Sequence, residues 1–275
     1  MIDILLSTYN GEKYLAEQLE SIITQSYSDW TLYIRDDGSI DNTMSIIEEH
    51  CTRYPYKIVK YEDFLGNIGF VRSFEELLKQ AKSEYFMFCD QDDVWLPQKV
   101  EKAMLAMKIR ENKNPDTPVI VCSDLYIVDE HLNKISDSYW SYSKITPQYL
   151  QKSNQLAVNN YVTGCTMLFN KKTKDISLPF GKNAIVHDAW IALKVLSAGG
   201  IIQTLSTPEI LYRQHGLNQY GASDIKQNFN YFWKKIIDVR AVIKTNYVNF
   251  KQSNEISGIS LFCFFYNRII YLIKR

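Results

Sequence analysis

The stretch from Tyr85 to Trp95 reads YFMFCDQDDVW and joins an apolar run to a group of closely spaced carboxylates. The residues up to Cys89 are apolar, which is typical of a buried strand. Asp90, Asp92 and Asp93 follow almost directly. A bare carboxylate is costly to bury, and several together cost more unless a positive charge or a polar ligand balances them. The sequence therefore predicts a strand whose end serves a cation or a polar ligand.

Strand and helix patterns alternate from the N-terminus up to this stretch. Apolar runs predict strands at Ile2–Leu6, Trp30–Arg35 and Tyr56–Tyr61, and YFMFCD is the fourth. Between them, apolar residues recur at helical spacing, as do Leu15 and Leu19 after the first strand. This alternation predicts an α/β fold with a mostly parallel sheet and helices on both faces. Ligands bind such sheets at the carboxyl ends of the strands, so the polar clusters there are expected on one rim.

The second half of the chain is predicted to hold further strands and helices. A helix that starts with a proline is expected over residues 97–112, and a strand with a turn over residues 118–130. Residues 136–154 are weakly patterned and are predicted to form a loop. Residues 161–170 (YVTGCTMLFN) predict a strand, and HDAWIALKVLSAGG predicts a helix that begins at Asp188 and ends at glycines. IIQTLS and EILYRQHG predict two short strands.

The overall composition narrows the functional class. The chain has 275 residues, and its 31 lysines and arginines balance its 31 aspartates and glutamates, so the formal net charge is zero. This balance does not indicate a nucleic-acid-binding surface. The five cysteines contain no C-x-x-C pair, and three stand in strand-like runs, which predicts reduced thiols in the cytosol. The start, MIDILLSTYN, is predicted to be a strand and not a signal peptide.

Read without further context, the carboxylate group after the fourth strand has two interpretations. Asp90 and Asp92 are two residues apart, so their side chains share a face in an extended chain. Their oxygens suit a hard divalent cation such as Mg²⁺ or Mn²⁺, which keeps open positions for phosphate oxygens. Alternatively, Asp92 or Asp93 caps the helix that starts near Pro97.

Several motifs occur in a defined order over about the first 220 residues. They read STYNGEKYLAEQLESIITQ, IRDDGSIDNT, NIGFVRSF, FCDQDDVW, HDAW and YRQHG. In this order and with these gaps, the set resembles the family 2 glycosyltransferases, and most of all their bacterial rhamnosyltransferase branch. The resemblance implies the GT-A fold, with a nucleotide-binding sheet, and an enzyme that uses a nucleotide-sugar donor.

The resemblance also implies which residues bind that donor. The residues after the first strand would cradle the base and ribose, and Asp36 or Asp37 would accept the imide N–H of uracil or thymine. Without the resemblance, both aspartates also suit a turn and Arg72 suits an ordinary helix surface. In full, the residues implied to bind the nucleotide sugar are Thr8, Tyr9, Asn10, Glu12, Asp36, Asp37, Asn67, Arg72, Asp90 and Gln91.

The same resemblance implies a metal site. Asp90-Gln91-Asp92 matches the D-x-D motif of the family, in which the first carboxylate faces the ribose and the second ligates Mn²⁺ or Mg²⁺. His215 matches a late histidine that also contacts the metal, although a lone histidine is more often structural. The cation would neutralise the diphosphate as it leaves the sugar.

The catalytic residue that the resemblance implies is Asp188. The family inverts the anomeric configuration, which needs one base to take the proton of the acceptor hydroxyl. Many members have Glu-Asp here, whereas this chain has His187-Asp188, which leaves the role of the histidine open. Asp188 also suits a helix cap, where the helix dipole would lower its pKa. The chain has no Q-x-x-R-W motif, which predicts transfer of one sugar per encounter.

The resemblance allows more than one donor and more than one acceptor. The rhamnosyltransferase likeness predicts dTDP-rhamnose as the donor, and the nearest alternative is a UDP-hexose such as UDP-galactose, UDP-glucose or UDP-N-acetylglucosamine. The expected acceptor is a saccharide, free or linked to a polyprenyl diphosphate. A nucleotidyltransferase would need a glycine-rich phosphate loop after the first strand, and STYNGEKY has one glycine. A non-catalytic binding module would not need Asp188.

The C-terminal part of the sequence differs from the rest. Residues 1–222 are predicted to form the GT-A domain and residues 223–275 a helical extension, aromatic and basic in composition. Its final run, GISLFCFFYNRIIYLIKR, is too interrupted for a membrane span. It suits an interfacial helix on the inner face of the cell membrane, or a helix packed on its own domain or on a second copy in a homodimer.

Overall fold

The strands of the protein are short and mostly apolar. A computed structural model of the chain describes residues 1–216 and 239–275. In chain order its strands are β1 (Ile2–Thr8), β2 (Trp30–Asp36), β3 (Ile58–Lys60), β4 (Tyr85–Cys89), β5 (Val94–Trp95), β6 (Val119–Cys122), β7 (Tyr126–Val128), β8 (Lys134–Ser136), β9 (Leu168–Asn170), β10 (Ile201–Thr204) and β11 (Ile210–Arg213).

Helices separate most of these strands. Leu15, Leu19 and Ile22 are buried along one face of the first helix, which packs on the sheet as its amphipathic pattern predicts. In chain order the helices are α1 (Leu15–Ile23), α2 (Thr43–Arg53), α3 (Phe70–Gln80), α4 (Lys99–Lys113), α5 (Tyr139–Tyr142), α6 (Ser153–Leu156), α7 (Lys171–Ser177), α8 (His187–Ser197), α9 (Val239–Ser257) and α10 (Leu261–Lys274).

The main sheet has seven strands among the described residues, in the order β10-β6-β9-β4-β1-β2-β3. β1 pairs in parallel with β2 and with β4, and β2 pairs in parallel with β3. The α/β fold with a mostly parallel sheet is thereby confirmed. β1 and β4 are apolar and buried because helices cover both faces of the sheet. Their carboxyl ends, and that of β2, lie on one rim.

One strand of the main sheet runs against its neighbours. β9 lies between β4 and β6 and is antiparallel to both. The strand predicted over residues 161–170 is shorter than expected, because Gly164–Thr166 form a 3-10 turn and only Leu168–Asn170 are extended. An antiparallel strand begins at the rim where its parallel neighbours end. The segment before β9 is therefore brought to the rim where β4 ends.

A second sheet of four described strands, in the order β5-β11-β7-β8, covers this rim from one side. The prediction of a single strand and turn over residues 118–130 was wrong: β6 and β7 belong to different sheets. The chain bends between them at Asp124, whose Oδ1 accepts the backbone N–H of Leu125 and of Trp140. The loop predicted over residues 136–154 contains α5, α6 and a 3-10 turn.

Two apolar clusters fill the two faces of the main sheet. Successive side chains of a strand point to opposite faces, so Ile4 joins the cluster under α1 and Leu5 joins the cluster under α3 and α8. Phe74, Phe88 and Trp190 are among the largest members of the second cluster. Truncating a fully buried aliphatic side chain to alanine in such a core lowers the free energy of unfolding by about 2–5 kcal/mol. The packing on both faces therefore contributes strongly to the stability of the sheet.

The last helix packs on its own domain with one face only. Phe264 and Tyr271 are buried in the α8-side cluster, and the Tyr271 hydroxyl accepts hydrogen bonds from Thr146 N–H (3.2 Å) and Asn159 Nδ2 (3.0 Å). The opposite face is apolar and exposed, and we call it the α10 stripe. The stripe consists of Phe262, Phe265, Tyr266, Ile269, Leu272 and Ile273.

The helical extension contains no single described helix that is long and apolar enough to cross a membrane. Lys244–Ser257 and Leu261–Lys274 meet that test only as a pair, and they are bent by 119°. The predicted boundary between residues 222 and 223 lies outside the described residues.

Candidate active site

A cleft of about 1730 Å³ opens along the rim where β1 and β4 end. Its walls come from the segments after β1 and β4, the loop before α3, the β7–β8 loop, the start of α8, the end of β11 and one face of α9. Pockets for one small ligand typically have volumes of roughly 300–1,000 Å³, so a cleft of this size has room for two substrates. Its described carboxylates are Asp37, Asp90, Asp92, Asp129, Glu130 and Asp188.

Gln91 fastens the D-x-D segment to the end of β1. Its Oε1 accepts hydrogen bonds from the Thr8 hydroxyl (2.6 Å) and the Tyr9 N–H (2.8 Å), and its Nε2 donates to the Tyr9 carbonyl (3.2 Å). Asn10 follows with a positive φ of 49°, which asparagine tolerates better than most residues. The Tyr9 ring stays exposed in the cleft. This end of the cleft therefore offers an aromatic face on a rigid backbone.

Asp37 is buried beside the cleft and held by a buried arginine. Arg35 Nη1 donates to Asp37 Oδ1 over 2.6 Å, while Ile68 N–H and Gly69 N–H each donate to Asp37 over 2.9 Å. Arg35 also binds Asp63 through Nε over 2.6 Å, which ties the loop before α3 to β2. The Asp37 carboxylate is thus fixed in position. Its Oδ1 already accepts two hydrogen bonds, and its Oδ2, which accepts one, can accept a further N–H from a ligand.

Asp92 and His215 meet in the cleft although they belong to distant parts of the chain. His215 Nε2 lies 2.8 Å from Asp92 Oδ2, and the imidazole packs on the Tyr14 ring with centroids 4.8 Å apart. Arg213, which is buried, holds this arrangement together. Its Nε donates to the Asp92 carbonyl (2.8 Å), its Nη1 to the Glu130 carbonyl (2.7 Å), and its Nη2 to the Glu17 carboxylate.

A second group of potential ligands lies behind the first. Oxygen atoms of Asp90 and Asp93 and the Cys165 sulfur lie within 4.8 Å of one another. Burial raises the pKa of the Cys165 thiol, and a protonated thiol is a poor ligand for a hard cation. Asp93 is fully buried outside the cleft lining, with Oδ1 accepting the Arg213 N–H over 3.2 Å. The pair that faces the cleft, Asp92 and His215, fits a divalent cation better.

The carboxylates around the D-x-D segment repel one another. Burial, with the nearby charges of Asp92 and Asp188, raises the pKa of Asp90 to about 7. Burial, with the same kind of repulsion from Asp92 and Asp90, also raises the pKa of Asp93. A positive charge bound here would relieve this repulsion, so the electrostatics of the cleft favour a cation.

Asp188 lies in the first turn of α8 and faces the cleft. Gly164 N–H donates to its Oδ2 over 2.9 Å, and Asn160 Nδ2 donates to its Oδ1 over 3.2 Å. Two hydrogen bonds to Val162 fix the Asn160 side chain: its Nδ2 donates to the Val162 carbonyl (2.7 Å), and its Oδ1 accepts the Val162 N–H (3.1 Å). Despite these donors, burial raises the pKa of Asp188 to about 6. This is a positioned carboxylate with a pKa suited to accept a proton near neutral pH.

The neighbouring His187 sits in an aromatic pocket. Its ring centroid is 4.2 Å from that of Phe74 and 4.7 Å from that of Phe88. Neither ring nitrogen has a hydrogen-bond partner among the described residues, and burial lowers the pKa of the imidazole to about 3. His187 is therefore neutral, and with Phe70 and Phe74 it forms an apolar wall beside Asp188.

Comparison with known proteins identifies the family. The sequence profile described as glycosyl transferase family 2 matches residues 3–176, more than half of the chain. The chain belongs to glycosyl transferase family 2. It is a glycosyltransferase, as the ordered motifs predicted, and displacement with inversion is consistent with this family.

Individual family 2 relatives differ in their named substrates. The chain is 29% identical over 233 residues to the dTDP-rhamnosyl transferase RfbG of Shigella flexneri, covering 79% of this chain and 74% of that protein. It is 29% identical over 113 residues to WfgD of Escherichia coli, a UDP-Glc:alpha-D-GlcNAc-diphosphoundecaprenol beta-1,3-glucosyltransferase, covering 41% of this chain and 42% of that protein.

Solved structures share the fold. Staphylococcus aureus TarS residues 1–349 in complex with UDP superimposes with a TM-score of 0.56 at 20% identity, covering 78% of this chain and 60% of TarS. The mannosyltransferase PcManGT of Pyrobaculum calidifontis, in complex with GDP-Man and Mn²⁺, gives 0.57 at 17% identity, covering 86% of this chain and 64% of PcManGT. The chain thus spans less than two thirds of these structures. The GT-A fold predicted from the sequence is confirmed.

Most residues predicted for the family 2 site line the cleft. Asp37 lines it and Asp36 does not, because the Asp36 carboxylate accepts the N–H groups of Gly38 and Ser39 in a turn. The predicted residues along the cleft are Thr8, Tyr9, Asn10, Asp37, Asn67, Asp90, Gln91, Asp92, Asp188 and His215.

Two further predicted residues lie elsewhere. Glu12 accepts hydrogen bonds from Asn42, through the backbone N–H (3.1 Å) and the side-chain amide (2.9 Å), and so holds the loop before α2. Arg72 donates to Glu75 (2.5 Å) and to the carbonyls of Phe180 and Gly181. Residues two apart on a helix point in nearly opposite directions, so with Phe70 in the cleft, Arg72 faces away.

The site also contains residues that the sequence did not single out. Asn160 and Gly164 orient Asp188, and no local pattern marks them because their role depends on the antiparallel entry into β9. Arg213 belongs to the YRQHG motif, which the sequence did mark as part of the site. Its contact with the Asp92 carbonyl is visible only in the folded chain. The residues of α9 that line the cleft lie in the part of the chain that the sequence predicts to be a helical extension outside the GT-A domain.

Proposed function

We propose that this protein is an inverting, metal-dependent glycosyltransferase that moves one sugar, L-rhamnose from dTDP-rhamnose, onto a saccharide or lipid-linked saccharide of a cell-surface polysaccharide. The observation that carries the proposal is the placement of Asp188 in the same cleft as Asp37 and the Asp92–His215 pair. One end of the cleft suits a nucleoside diphosphate, and the other holds Asp188, a described carboxylate suited to act as a base.

Donor binding starts at the β1 end of the cleft. The exposed Tyr9 ring offers a stacking face for the base, and Asp37 accepts the imide N–H that uracil and thymine share. Asn67, and Asp90 of the D-x-D segment, also line the cleft and are available to the donor. Gln91 fastens the D-x-D segment, which carries Asp90, to the end of β1, so we assign it a supporting role for the donor site.

Asp92 and His215 are the residues that would hold Mn²⁺ or Mg²⁺. A carboxylate and a neutral imidazole suit Mn²⁺ well, and a cation here, when bound, supplies Lewis-acid neutralisation of the leaving diphosphate. Asp92 is kept in place from behind by Arg213, whose Nε donates to the Asp92 carbonyl.

Asp188 acts as the general base. Its ionised carboxylate accepts the proton of the acceptor hydroxyl, whose oxygen forms the new bond to the anomeric carbon. The bond from that carbon to the diphosphate oxygen breaks, and the nucleoside diphosphate leaves with the electron pair. Gly164 N–H and Asn160 keep the carboxylate pointed into the cleft during this transfer.

The apolar wall beside Asp188 supports a 6-deoxy sugar. Phe70 and Phe74 offer no hydrogen-bonding group to a sixth-carbon hydroxyl, and both ring nitrogens of His187 are buried, whereas the methyl group of rhamnose packs against such rings. The likeness to a dTDP-rhamnosyl transferase agrees with this choice. The likeness to the glucosyltransferase WfgD favours the alternative, a UDP-hexose donor with an N-acetylglucosamine diphospholipid as acceptor.

Donor hydrolysis across a panel of nucleotide sugars tests the proposal. With Mn²⁺ present and no acceptor, we expect dTDP-rhamnose to be hydrolysed fastest among dTDP-rhamnose, UDP-glucose, UDP-galactose and UDP-N-acetylglucosamine. Preference for a UDP-hexose would contradict the rhamnose assignment but not the assignment of the protein as a glycosyltransferase. Failure to bind any nucleoside diphosphate would contradict the whole proposal.

The α10 stripe supports a peripheral location on an anionic membrane face. Its exposed apolar side chains are followed by Lys274 and Arg275, a combination that gains from insertion among headgroups and from negatively charged lipid. Attachment at that face would bring a polyprenyl-diphosphate-linked acceptor to the cleft. A homodimer through the same stripe is the competing proposal.

A further inference from the structure

One face of α9 forms a wall of the catalytic cleft. Its cleft-lining residues recur at helical spacing, which places them on one side of the helix. They are Lys244, Thr245, Val248, Asn249 and Gln252. The extension is therefore part of the active site, and its polar groups are available to a substrate.

The C-terminal end of this face lies beside the base. Gln252 is buried, and its Oε1 accepts the N–H of Ile185 over 2.9 Å, three residues before Asp188. Glu255 fixes the next turn by accepting hydrogen bonds from Asn183, through the backbone N–H (3.2 Å) and the side-chain amide (2.7 Å). The helix is thereby anchored to the segment that leads into α8. A substrate that approaches Asp188 from this side meets α9.

The other end of the face carries a positive charge. The described lysines that line the cleft are Lys13 and Lys244, and Lys13 is already paired with Glu130 at 2.7 Å. The Lys244 ammonium forms no salt bridge with a described residue, in a cleft dominated by carboxylates. Gln252 lies eight positions after Lys244, which corresponds to about 12 Å along a helix. An anionic group bound at Lys244 would therefore lie at the end of this face opposite Gln252 and the segment that leads to Asp188.

We propose that α9 is the acceptor-binding wall and that it selects a saccharide carrying a diphosphate. The sugar lies against Thr245, Val248 and Asn249, whose hydroxyl, methyl and amide groups match the mixed polar and apolar surface of a pyranose ring. The diphosphate binds Lys244 through charge-assisted hydrogen bonds. This inference rests on the proposed function and names the class of its acceptor.

The test uses the full chain saturated with dTDP and Mn²⁺, so that the donor diphosphate site is filled. Calorimetry measures the affinity for N-acetylglucosamine α-diphosphate bearing an undecyl chain, and for undecyl N-acetylglucosaminide, which lacks the diphosphate. We expect the wild type to bind the diphosphate compound roughly tenfold more tightly. Lys244→Ala should abolish that difference. Lys251→Ala, on the same helix but outside the cleft with its ammonium over the Tyr247 ring, should preserve it.

A second variant separates the sugar from the diphosphate. Asn249→Ala should weaken binding of both compounds by a similar factor. Equal effects of Lys244→Ala and Lys251→Ala, or equal affinities of the wild type for the two compounds, would overturn the inference. So would a loss of dTDP affinity in Lys244→Ala, because the lysine would then serve the donor. Absence of dTDP binding by the wild type is a different result, which contradicts the proposed function itself.

Discussion

His215 and Asp92 are 123 residues apart in the chain, yet Nε2 of the histidine lies 2.8 Å from Oδ2 of the aspartate. The pairing of β5 with β11 produces this contact, since Asp92 precedes one strand and His215 follows the other. Two ligand types that suit Mn²⁺ thus converge on one wall of the cleft. Their approach is the basis for the first prediction.

Asp92→Asn should abolish the gain in dTDP or UDP affinity that Mn²⁺ provides, because an amide oxygen carries no charge to hold the cation. Calorimetry of nucleotide binding with Mn²⁺ and with EDTA measures that gain. Glu130→Gln is the matched control, as it removes a cleft carboxylate that is paired with Lys13. An undiminished gain in Asp92→Asn would show that the metal binds elsewhere.

Asp188→Asn should keep nucleotide affinity and lose most of the turnover. Loss of a general base typically lowers kcat about 10²–10⁴-fold. Steady-state kinetics with saturating donor measures kcat, and a thermal melt confirms that the variant is folded. Full turnover in a folded variant would show that Asp188 is not the base and serves only in the first turn of the helix.

The rate should fall at low pH because Asp188 must be ionised to accept a proton. Its pKa is raised to about 6 by burial, so kcat/KM is expected to be level above about pH 7 and to drop roughly tenfold per pH unit below 6. Asn160→Ala removes a donor to the ionised form, which raises the pKa further and moves the acid limb to higher pH. Asn159→Ala, whose amide binds the Tyr271 hydroxyl, is the control. Superimposable profiles of Asn160→Ala and wild type would contradict the role of Asn160.

Gly164→Ala should impair catalysis through a clash with His187. The added Cβ would lie 2.4 Å from His187 Nε2, and the ring is enclosed by Phe74 and Phe88. Overpacking of this kind costs about 1–3 kcal/mol, and the shifted backbone also loses its hydrogen bond to Asp188. Chemical denaturation measures the cost. His187→Ala in the same chain should recover part of it, and strictly additive effects of the two changes would argue against the clash.

The α10 stripe should bind anionic vesicles without contributing to the stability of the fold. Phe262→Glu with Ile273→Glu changes two side chains that are 83% and 74% exposed, so the melting temperature should not change. Sedimentation with phosphatidylglycerol-containing vesicles should weaken by at least about tenfold. Tyr56→Glu, an exposed aromatic outside the extension, is the control. Unchanged sedimentation together with a halved molar mass would favour a homodimer instead. Deletion of the whole helix is a poorer test because it also removes the buried Phe264 and Tyr271.

The first half of the fold and most of the residues at the β1–β4 end of the cleft were predictable from the sequence. Alternating apolar runs predicted β1, β2 and β4, and the rule that parallel strands present ligands at their carboxyl ends placed Asp37, Asp90 and Asp92 together. The positions of these residues at strand ends follow from local sequence patterns, so the spacing along the chain is sufficient to predict them.

The remaining parts of the site depend on contacts that spacing does not encode. Arg72 was misplaced because a shift of two residues on α3 turns a side chain away from the cleft. Asn160 was missed because its approach to Asp188 follows from the antiparallel direction of β9, a property of the assembled sheet. The share of α9 in the cleft follows from tertiary packing through Gln252.

The long separation between Asp92 and His215 also has a consequence during synthesis. A ribosome adds about 5–20 residues per second, so roughly 6–25 s pass between the appearance of the aspartate and that of the histidine. Arg213, which holds the Asp92 backbone, is made just before the histidine. A nascent chain that ends earlier contains β1 to β4 and Asp37, but neither Arg213 nor His215, which contact Asp92 in the folded protein. A cation that needs both Asp92 and His215, as proposed, could therefore bind only after synthesis has passed His215.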